Sequence, residues 1–324
     1  MLAVVLTAHR GASALEVQER PDPAGEVLID VRAVGVNFAE VMATQGVYPD
    51  APKPPSVLGY EVSGVVLESR SQAWSAGQRV MAATQFGGYA TRVAVPAGDV
   101  IALPERLSFE QGAAVPVNYA TAWTALLGYG SLRPGERVLI HAAGGGVGIA
   151  ATQIARRAGA EIYGTASPSK HAELEVDHAI DYTQNGWERG LPQFDLVLDA
   201  LGGASFRRSY DLLRPGGRLI AYGASAVVSG EKRNLLSALG TVVRMPRFNL
   251  IKQMGESKAV IGLNLLTLWK EAGSLARWLE PLGEMLDDGT IKPVVAEAFP
   301  FARAGDAHRM LVERRNVGKV VMVP

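Results

Sequence analysis

The chain has 324 residues, 32 basic and 32 acidic side chains, a net charge of zero and no cysteine. That length suits two domains, and the balanced charge, with no basic stripe interleaved with aromatics, argues against nucleic acid as a partner. The missing cysteines remove disulfides, thiolate metal sites and cysteine nucleophiles, and they fit a reducing, cytoplasmic setting.

The opening MLAVVLTAHRG lacks a basic region ahead of a long apolar run, so it is read as a strand over residues 2–8 rather than as a secretion signal. Segments 27–36, 62–69, 78–83 and 89–96 carry β-branched residues and are divided by Gly, Pro or Ser, which predicts a β-rich first hundred residues. Residues 111–132 have no charge, yet Pro116, Asn118, Tyr119 and several glycines would span a bilayer poorly. A buried helix at a domain junction is predicted there, and no integral membrane segment.

At residue 137 the pattern changes. In RVLIHAAGGGVG the apolar run Val138, Leu139, Ile140 breaks into glycines, a helical pattern follows over 149–158, and a second strand over 161–166. This is the layout of a dinucleotide-binding βαβ unit. Ala143 stands at the first position of G-x-G-x-x-G, and Gly145 and Gly148 fill the other two. Ala143, Gly145, Gly146, Val147 and Gly148 are therefore the expected cradle for a pyrophosphate at the positive end of the helix.

An NAD site usually carries an acidic residue about 20 positions past the glycines, to hold the ribose hydroxyls. Here that place reads Ala166, Ser167, Pro168, Ser169, Lys170. No carboxylate repels a 2′-phosphate, while a hydroxyl and an ammonium could bind one. NADPH is favoured over NADH. Ser167 also reads as a helix cap and Lys170 as a solvated cation. Tyr182, after a strand over 178–181, reads either as a wall beside the adenine or as an ordinary half-buried tyrosine.

Further strands are predicted at 194–199 and 218–223, and the strand–helix alternation implies a parallel, doubly wound sheet with its site at the strands' carboxyl ends. The tail reads as a strand (294–299), a helix (302–314) and a last strand (319–323). A lone C-terminal strand needs a sheet to join. The β-rich domain is thus assigned to residues 1–120 plus 264–324, and the nucleotide domain to 121–263. The stretch 225–256 carries Lys232, Arg233, Arg244, Arg247 and Lys252. It reads as a solvated helical face, or as a basic rim for an anionic substrate such as an acyl-CoA.

Taken together, the β-rich half, AAVPVNYATAW (113–123), LRPGERVLIHAAGGGVG, GTASPSKH (164–171) and the closing NVGKVVMVP resemble the medium-chain dehydrogenase/reductase family. VNFAEVMATQGVYP (36–49) and GYEVSGVV (59–66) resemble its zinc-free quinone oxidoreductase branch, which includes the synaptic vesicle membrane protein-like members. The resemblance implies a doubly wound parallel Rossmann sheet inserted into a GroES-like β-rich catalytic domain. It also implies NADPH as cofactor, a homodimer through edge strands near 258–265, and nicotinamide positioning by loops at Gly223 and Asn264.

Zinc-dependent members place a Cys where this chain has Asn37 and a His where it has Tyr60, and a third ligand would fall near Asn118. Amides and a phenol do not assemble a zinc site. Without a Lewis acid, alcohol oxidation is hard, whereas a quinone or α,β-unsaturated carbonyl accepts hydride directly. Such chemistry needs hydrogen-bond donors at the oxygen where charge develops. Asn37, Tyr48 and Tyr60 are the candidates, and Glu61 is expected to pair with a basic side chain. No nucleophile elbow, P-loop or H-E-x-x-H occurs in the sequence. The expected function is zinc-independent hydride transfer from NADPH to a small-molecule quinone, enone or enoyl thioester. The alternative is an NADPH-binding regulatory protein with little turnover.

Overall fold

In chain order the strands are β1 (Leu2–Leu6), β2 (Leu15–Glu19), β3 (Val27–Val36), β4 (Ser56–Val57), β5 (Glu61–Ser69), β6 (Arg79–Ala83), β7 (Arg92–Val95), β8 (Val100–Ala102), β9 (Arg137–Ile140), β10 (Glu161–Ala166), β11 (His178–Asp181), β12 (Phe194–Asp199), β13 (Leu213–Ala221), β14 (Ala259–Gly262), β15 (Val295–Pro300) and β16 (Lys319–Val323). The structure, a computed structural model, describes residues 1–231 and 233–324, so Lys232 lies outside the described residues. Two units emerge. The first comprises Met1–Ala120, Val228–Asn234 and Leu266–Pro324, and the second Thr121–Val227 and Leu235–Leu265.

In the first unit a sheet runs β15-β16-β3-β5-β6-β8, with β7 also on β3, and a smaller one runs β2-β1-β4. β3 alternates buried and partly exposed residues at its start and is buried throughout from Ala33 to Val36. Alternation marks a strand with one wet face, and its loss marks a strand covered on both. Along this buried part β16 pairs antiparallel with β3 in the same sheet, in the register Val320↔Val36 and Met322↔Val34. That register carries Lys319, at the start of β16, to the level of Asn37.

The second unit is a six-stranded sheet in the order β11-β10-β9-β12-β13-β14. Every pairing in it is parallel. Renumbered within the unit this is 3-2-1-4-5-6, the doubly wound order whose ligand crevice opens where the order reverses, at β9 and β12. All six residues of β12 are buried, as a strand with helices on both faces requires.

Two expectations need correction. Residues 111–132 are not one helix: Phe109–Gly112, Pro116–Trp123 and a π-wound turn, Thr124–Gly128, follow one another. Pro116 has no N–H to continue a ladder and its fixed φ suits a first turn, so it starts a new helix. The strand predicted at 218–223 begins at Leu213 and ends before Gly223. Gly216, which reads as a breaker in sequence, is held by a bond from its N–H to the Ser257 carbonyl (2.6 Å). Among the described residues no helix is long and apolar enough to cross a membrane.

His308 lies in the first unit's core, its Nε2 3.1 Å from the Tyr89 hydroxyl and its Nδ1 without a partner. Burial pushes its pKa down to about 3. The unfolded chain, with an imidazole near its usual pKa of about 6.5, takes up the proton first. The His308 contribution to stability is therefore complete above about pH 6.5 and is lost as pH falls toward 3, by up to about 1.4 kcal/mol per pH unit. Urea unfolding of the wild type and of the non-titrating His308→Gln variant, compared at several pH values, should show the wild type losing stability relative to the variant as pH falls through this window, with their difference constant above it.

Candidate active site

Asn37, Tyr48 and Tyr60 come together in the first unit. Asn37 follows β3 and caps the helix Phe38–Thr44, and its N–H donates to Glu40 Oε2 (2.7 Å), three residues on. Its side-chain Nδ2 donates to Glu40 Oε1 (3.3 Å) and Glu61 Oε1 (3.2 Å). Its Oδ1 accepts from Lys319 Nζ (2.5 Å). The Lys319 ammonium also pairs with Glu61, as expected of that carboxylate, and reaches Asn118 Oδ1 (3.3 Å). Glu61 Oε2 accepts the Val117 N–H (2.8 Å). Lys319 is 3% exposed, and Glu61 and Glu40 are fully buried.

Gly35 makes room for this cluster. A Cβ there would stand 2.6 Å from Glu61 Oε1 and 2.4 Å from the Ala113 carbonyl oxygen. Burial raises the Glu40 pKa to about 8, against the pull of Lys319 and the bonds from Asn37. Glu40 is thus largely protonated at neutral pH, leaving one carboxylate, Glu61, for one ammonium.

Tyr60 is 6% exposed, and its hydroxyl lies beside that of Tyr48 without a well-formed hydrogen bond among the described residues. Burial, then the neighbouring Tyr48 and Glu40, hold its pKa well above the usual phenol value. Burial likewise raises Tyr48. Both phenols are neutral donors at physiological pH. Phe86 tilts against the Tyr60 ring, with centroids 4.9 Å apart.

Sequence reasoning did not find Lys319 or Glu40. The signal for Glu40 was the Asn37-x-x-Glu40 spacing, which reaches back to cap a helix start. The signal for Lys319 was a single lysine opening the apolar strand KVVMV, which must be buried to complete a sheet.

In the second unit β9 ends in the turn His141–Gly145, and the helix Gly146–Arg157 starts at once with Gly145 extended as its cap. The helix begins three residues before the predicted 149, because Gly146, Val147 and Gly148 form its first turn. Their N–H groups lack partners within the helix and point a partial positive charge outward. Ala142 adopts φ +55°, a left-handed conformation that costs a non-glycine residue about 1 kcal/mol. A Cβ on Gly148 would stand 2.3 Å from the Ala142 carbonyl oxygen and 2.7 Å from Ala143 Cα. Ala143 is buried beneath the turn. Helix and turn thus approach as closely as the dinucleotide fingerprint requires, and these residues fit a nicotinamide dinucleotide.

Ser167 precedes the 3₁₀ turn Pro168–Glu173 and makes no capping bond; its hydroxyl lies 3.3 Å from that of Ser169. Lys170 arches over the glycine turn, its Cδ 3.5 Å from where a Gly144 Cβ would be. Tyr182 follows β11 and is 37% exposed. Gly223 follows β13, where a Cβ would stand 2.8 Å from the Ala200 carbonyl oxygen. Asn264 follows β14, next to Leu263, whose N–H bonds the Ala221 carbonyl (2.9 Å). The helices Leu235–Val243 and Leu250–Glu256, within the stretch read as a solvated face or a basic rim, expose Leu236, Val243, Leu250, Ile251 and Met254 at 75–83%. Lys252 is the one basic residue within these two helices, so their exposed surface is largely apolar.

Residues 23–105 match the alcohol dehydrogenase GroES-like domain model, and residues 174–322 a zinc-binding dehydrogenase model. The chain is 37% identical to the synaptic vesicle membrane protein VAT-1 homolog of Rattus norvegicus, over 99% of this chain and 83% of that protein. The chain belongs to the medium-chain dehydrogenase/reductase family. Within the family it falls in the zinc-free, quinone oxidoreductase-like branch. Its fold matches the quinone oxidoreductase of Thermus thermophilus, solved alone and with NADPH, at a TM-score of 0.79 and 34% identity over 100% of both chains. It also matches the CurK enoyl reductase at 0.84 and 26% identity, over 99% of this chain and 98% of that one.

The zinc in the family model's description has no fitting residues here. Where the resemblance places ligands, Lys319 already donates to Glu61, Asn37 and Asn118, so the lone pairs a cation would need belong to an ammonium. Among the described residues no group of three or more His, Cys, Asp or Glu side chains could hold a metal ion.

Proposed function

We propose that the chain is an NADPH-dependent, zinc-independent reductase of an activated acceptor: a quinone, an α,β-unsaturated carbonyl or an enoyl thioester. The observation that carries this reading is the Tyr60 hydroxyl, buried, neutral, beside the Tyr48 phenol and without a well-formed hydrogen bond. A buried donor without a partner costs about 1–3 kcal/mol, which is recovered when a substrate oxygen accepts from it.

Bound NADPH would supply the hydride. Ala143, Gly145, Gly146, Val147 and Gly148 would hold its pyrophosphate, Ser167 and Lys170 its 2′-phosphate, Tyr182 its adenine, and backbone at Gly223 and Asn264 its nicotinamide. In a quinone or enone, charge then grows on an oxygen remote from the attacked carbon, and the Tyr60 and Tyr48 phenols donate to that oxygen. Because the acceptor is already electron-poor, no Lewis acid is needed to activate it. Asn37 serves the same site by holding Glu40 and Glu61, since its amide protons are spent on them. The NADPH complex of the Thermus relative and the enoyl reductase likeness both favour this reading. The reading includes a homodimer through β14, the edge strand of the parallel sheet, whose outer N–H and C=O groups are available for pairing.

Tyr60→Phe removes one hydroxyl and keeps the ring. Turnover should fall about 10²–10³-fold, as for loss of an oxyanion donor, with NADPH affinity unchanged; Tyr48→Phe should cost less. Steady-state kinetics beside an NADPH titration checks this, and full turnover in Tyr60→Phe would remove the phenol from the mechanism.

A further inference from the structure

Behind the glycine turn, the second unit buries a run of polar side chains that the proposed chemistry does not use. Asp199, at the end of β12, is fully buried, and His141, just past β9, is 1% exposed. Asp199 Oδ2 accepts from the hydroxyls of Ser209 (2.7 Å) and Ser205 (2.8 Å), and Oδ1 from the N–H groups of Leu201 (2.7 Å) and Gly202 (3.4 Å). His141 Nε2 lies 3.0 Å from Ser209 Oγ, and His141 Nδ1 lies 3.1 Å from Thr165 Oγ1. Thr165 Oγ1 accepts the N–H of Ala142 (3.3 Å).

The directions of these bonds follow from one fact. Ser209 has a single hydroxyl proton, and the carboxylate takes it. His141 Nε2 must therefore donate to Ser209, which leaves Nδ1 as an acceptor and turns the Thr165 proton toward it. Thr165 Oγ1 is then free to accept from Ala142. One continuous chain of donors runs from Ala142 through Thr165, His141 and Ser209 to Asp199, with no member left unsatisfied. Fully satisfied buried chains of this kind hold a single geometry.

The two ends of the chain matter. Ala142 is the left-handed residue that sets the glycine turn. Asp199 shapes the loop after β12, whose Gly202 packs against Ala224 beyond β13, with a Cβ there only 3.0 Å from Ala224 Cα. β9 and β12 are the neighbours between which the strand order reverses.

We propose that Thr165, His141, Ser209 and Asp199 are positioning residues for the dinucleotide, locking the pyrophosphate-binding turn after β9 to the loop after β12, which packs on the backbone beyond β13, so that pyrophosphate and nicotinamide meet one rigid frame. The inference rests on the dinucleotide reading above.

His141→Ala could unfold the unit, so the test uses the isosteric Thr165→Val, with Thr165→Ser as its rescue and Ser209→Ala at the far end of the chain. Binding of NADPH to the full-length protein is followed by calorimetry. Adenosine 2′-monophosphate, which has no pyrophosphate, is titrated in parallel. Thr165→Val and Ser209→Ala should each weaken NADPH about tenfold, the effect of one lost hydrogen bond. Thr165→Ser should bind within about twofold of wild type. Binding of adenosine 2′-monophosphate should not change, a split that general loosening of the fold would not produce. The double variant should lose less than the product of the single losses, because both cut the same chain. Wild-type affinity for NADPH in Thr165→Val, or equal losses for both ligands, would overturn the inference. A wild-type chain that binds no nicotinamide dinucleotide would overturn the cofactor reading, and the inference with it.

Discussion

Lys319→Met is expected to destabilise the β-rich unit by about 3–5 kcal/mol, the cost of breaking a buried ion pair by removing one partner. The ammonium is 3% exposed and its partner Glu61 is fully buried. Methionine fills the stem's volume, so the loss is electrostatic. It leaves the Glu61 charge with only the Val117 N–H and the Asn37 amide, and it strands the Asn37 Oδ1. Adding Glu61→Gln should recover a large part of the loss, because a neutral amide can keep accepting from Val117. Urea unfolding of the single and double variants, followed by tryptophan fluorescence, checks both steps. Equal instability of the two would mean that packing, and not the stranded charge, dominates.

Gly148→Ala should abolish useful cofactor binding while leaving the rest of the sheet folded. Its Cβ would stand 2.3 Å from one backbone atom of the turn and 2.7 Å from another, and neither belongs to a flexible side chain that could swing away. The helix start must lift from the turn, and its N–H groups lose their aim. NADPH affinity should fall at least about a hundredfold, or about 2.7 kcal/mol. Gly144→Ala is the control. Its Cβ meets only Leu174 and Lys170 side-chain carbons at 3.5 Å, an ordinary contact, so affinity should change by no more than a few-fold. Equal losses in both would show that the turn tolerates no side chain anywhere, rather than none at the crossing with the helix.

The parts legible in the sequence were those governed by local chemistry. A glycine turn between an apolar run and a helical pattern has few other uses, and β9, the helix after it and β10 lie where 137–166 placed them. The final strand joins the first unit's sheet, as a lone terminal strand must. The buried cluster was not legible, because it depends on pairing between distant segments. Asn37 and Lys319 are 282 residues apart and meet only through the β16–β3 register. Asn37 read as a donor to substrate, whereas its amide protons are engaged by Glu40, three residues on, and by Glu61, which only the fold brings to it. The stretch 225–256 was half legible for another reason. Its basic residues drew a solvated reading, and most of them flank the helices Leu235–Val243 and Leu250–Glu256, whose apolar residues, of a kind that usually marks a core-facing stripe, are exposed.

Acceptor-dependent oxidation of NADPH by chelator-treated protein, followed at 340 nm with a naphthoquinone, a simple enone and an enoyl thioester, is the most direct test of zinc-free hydride transfer. Turnover is expected with at least one of the three, undiminished by the chelator and lost in Tyr60→Phe. Bound NADPH with no oxidation by any of the three, or activity that returns only with added zinc, would contradict zinc-free hydride transfer.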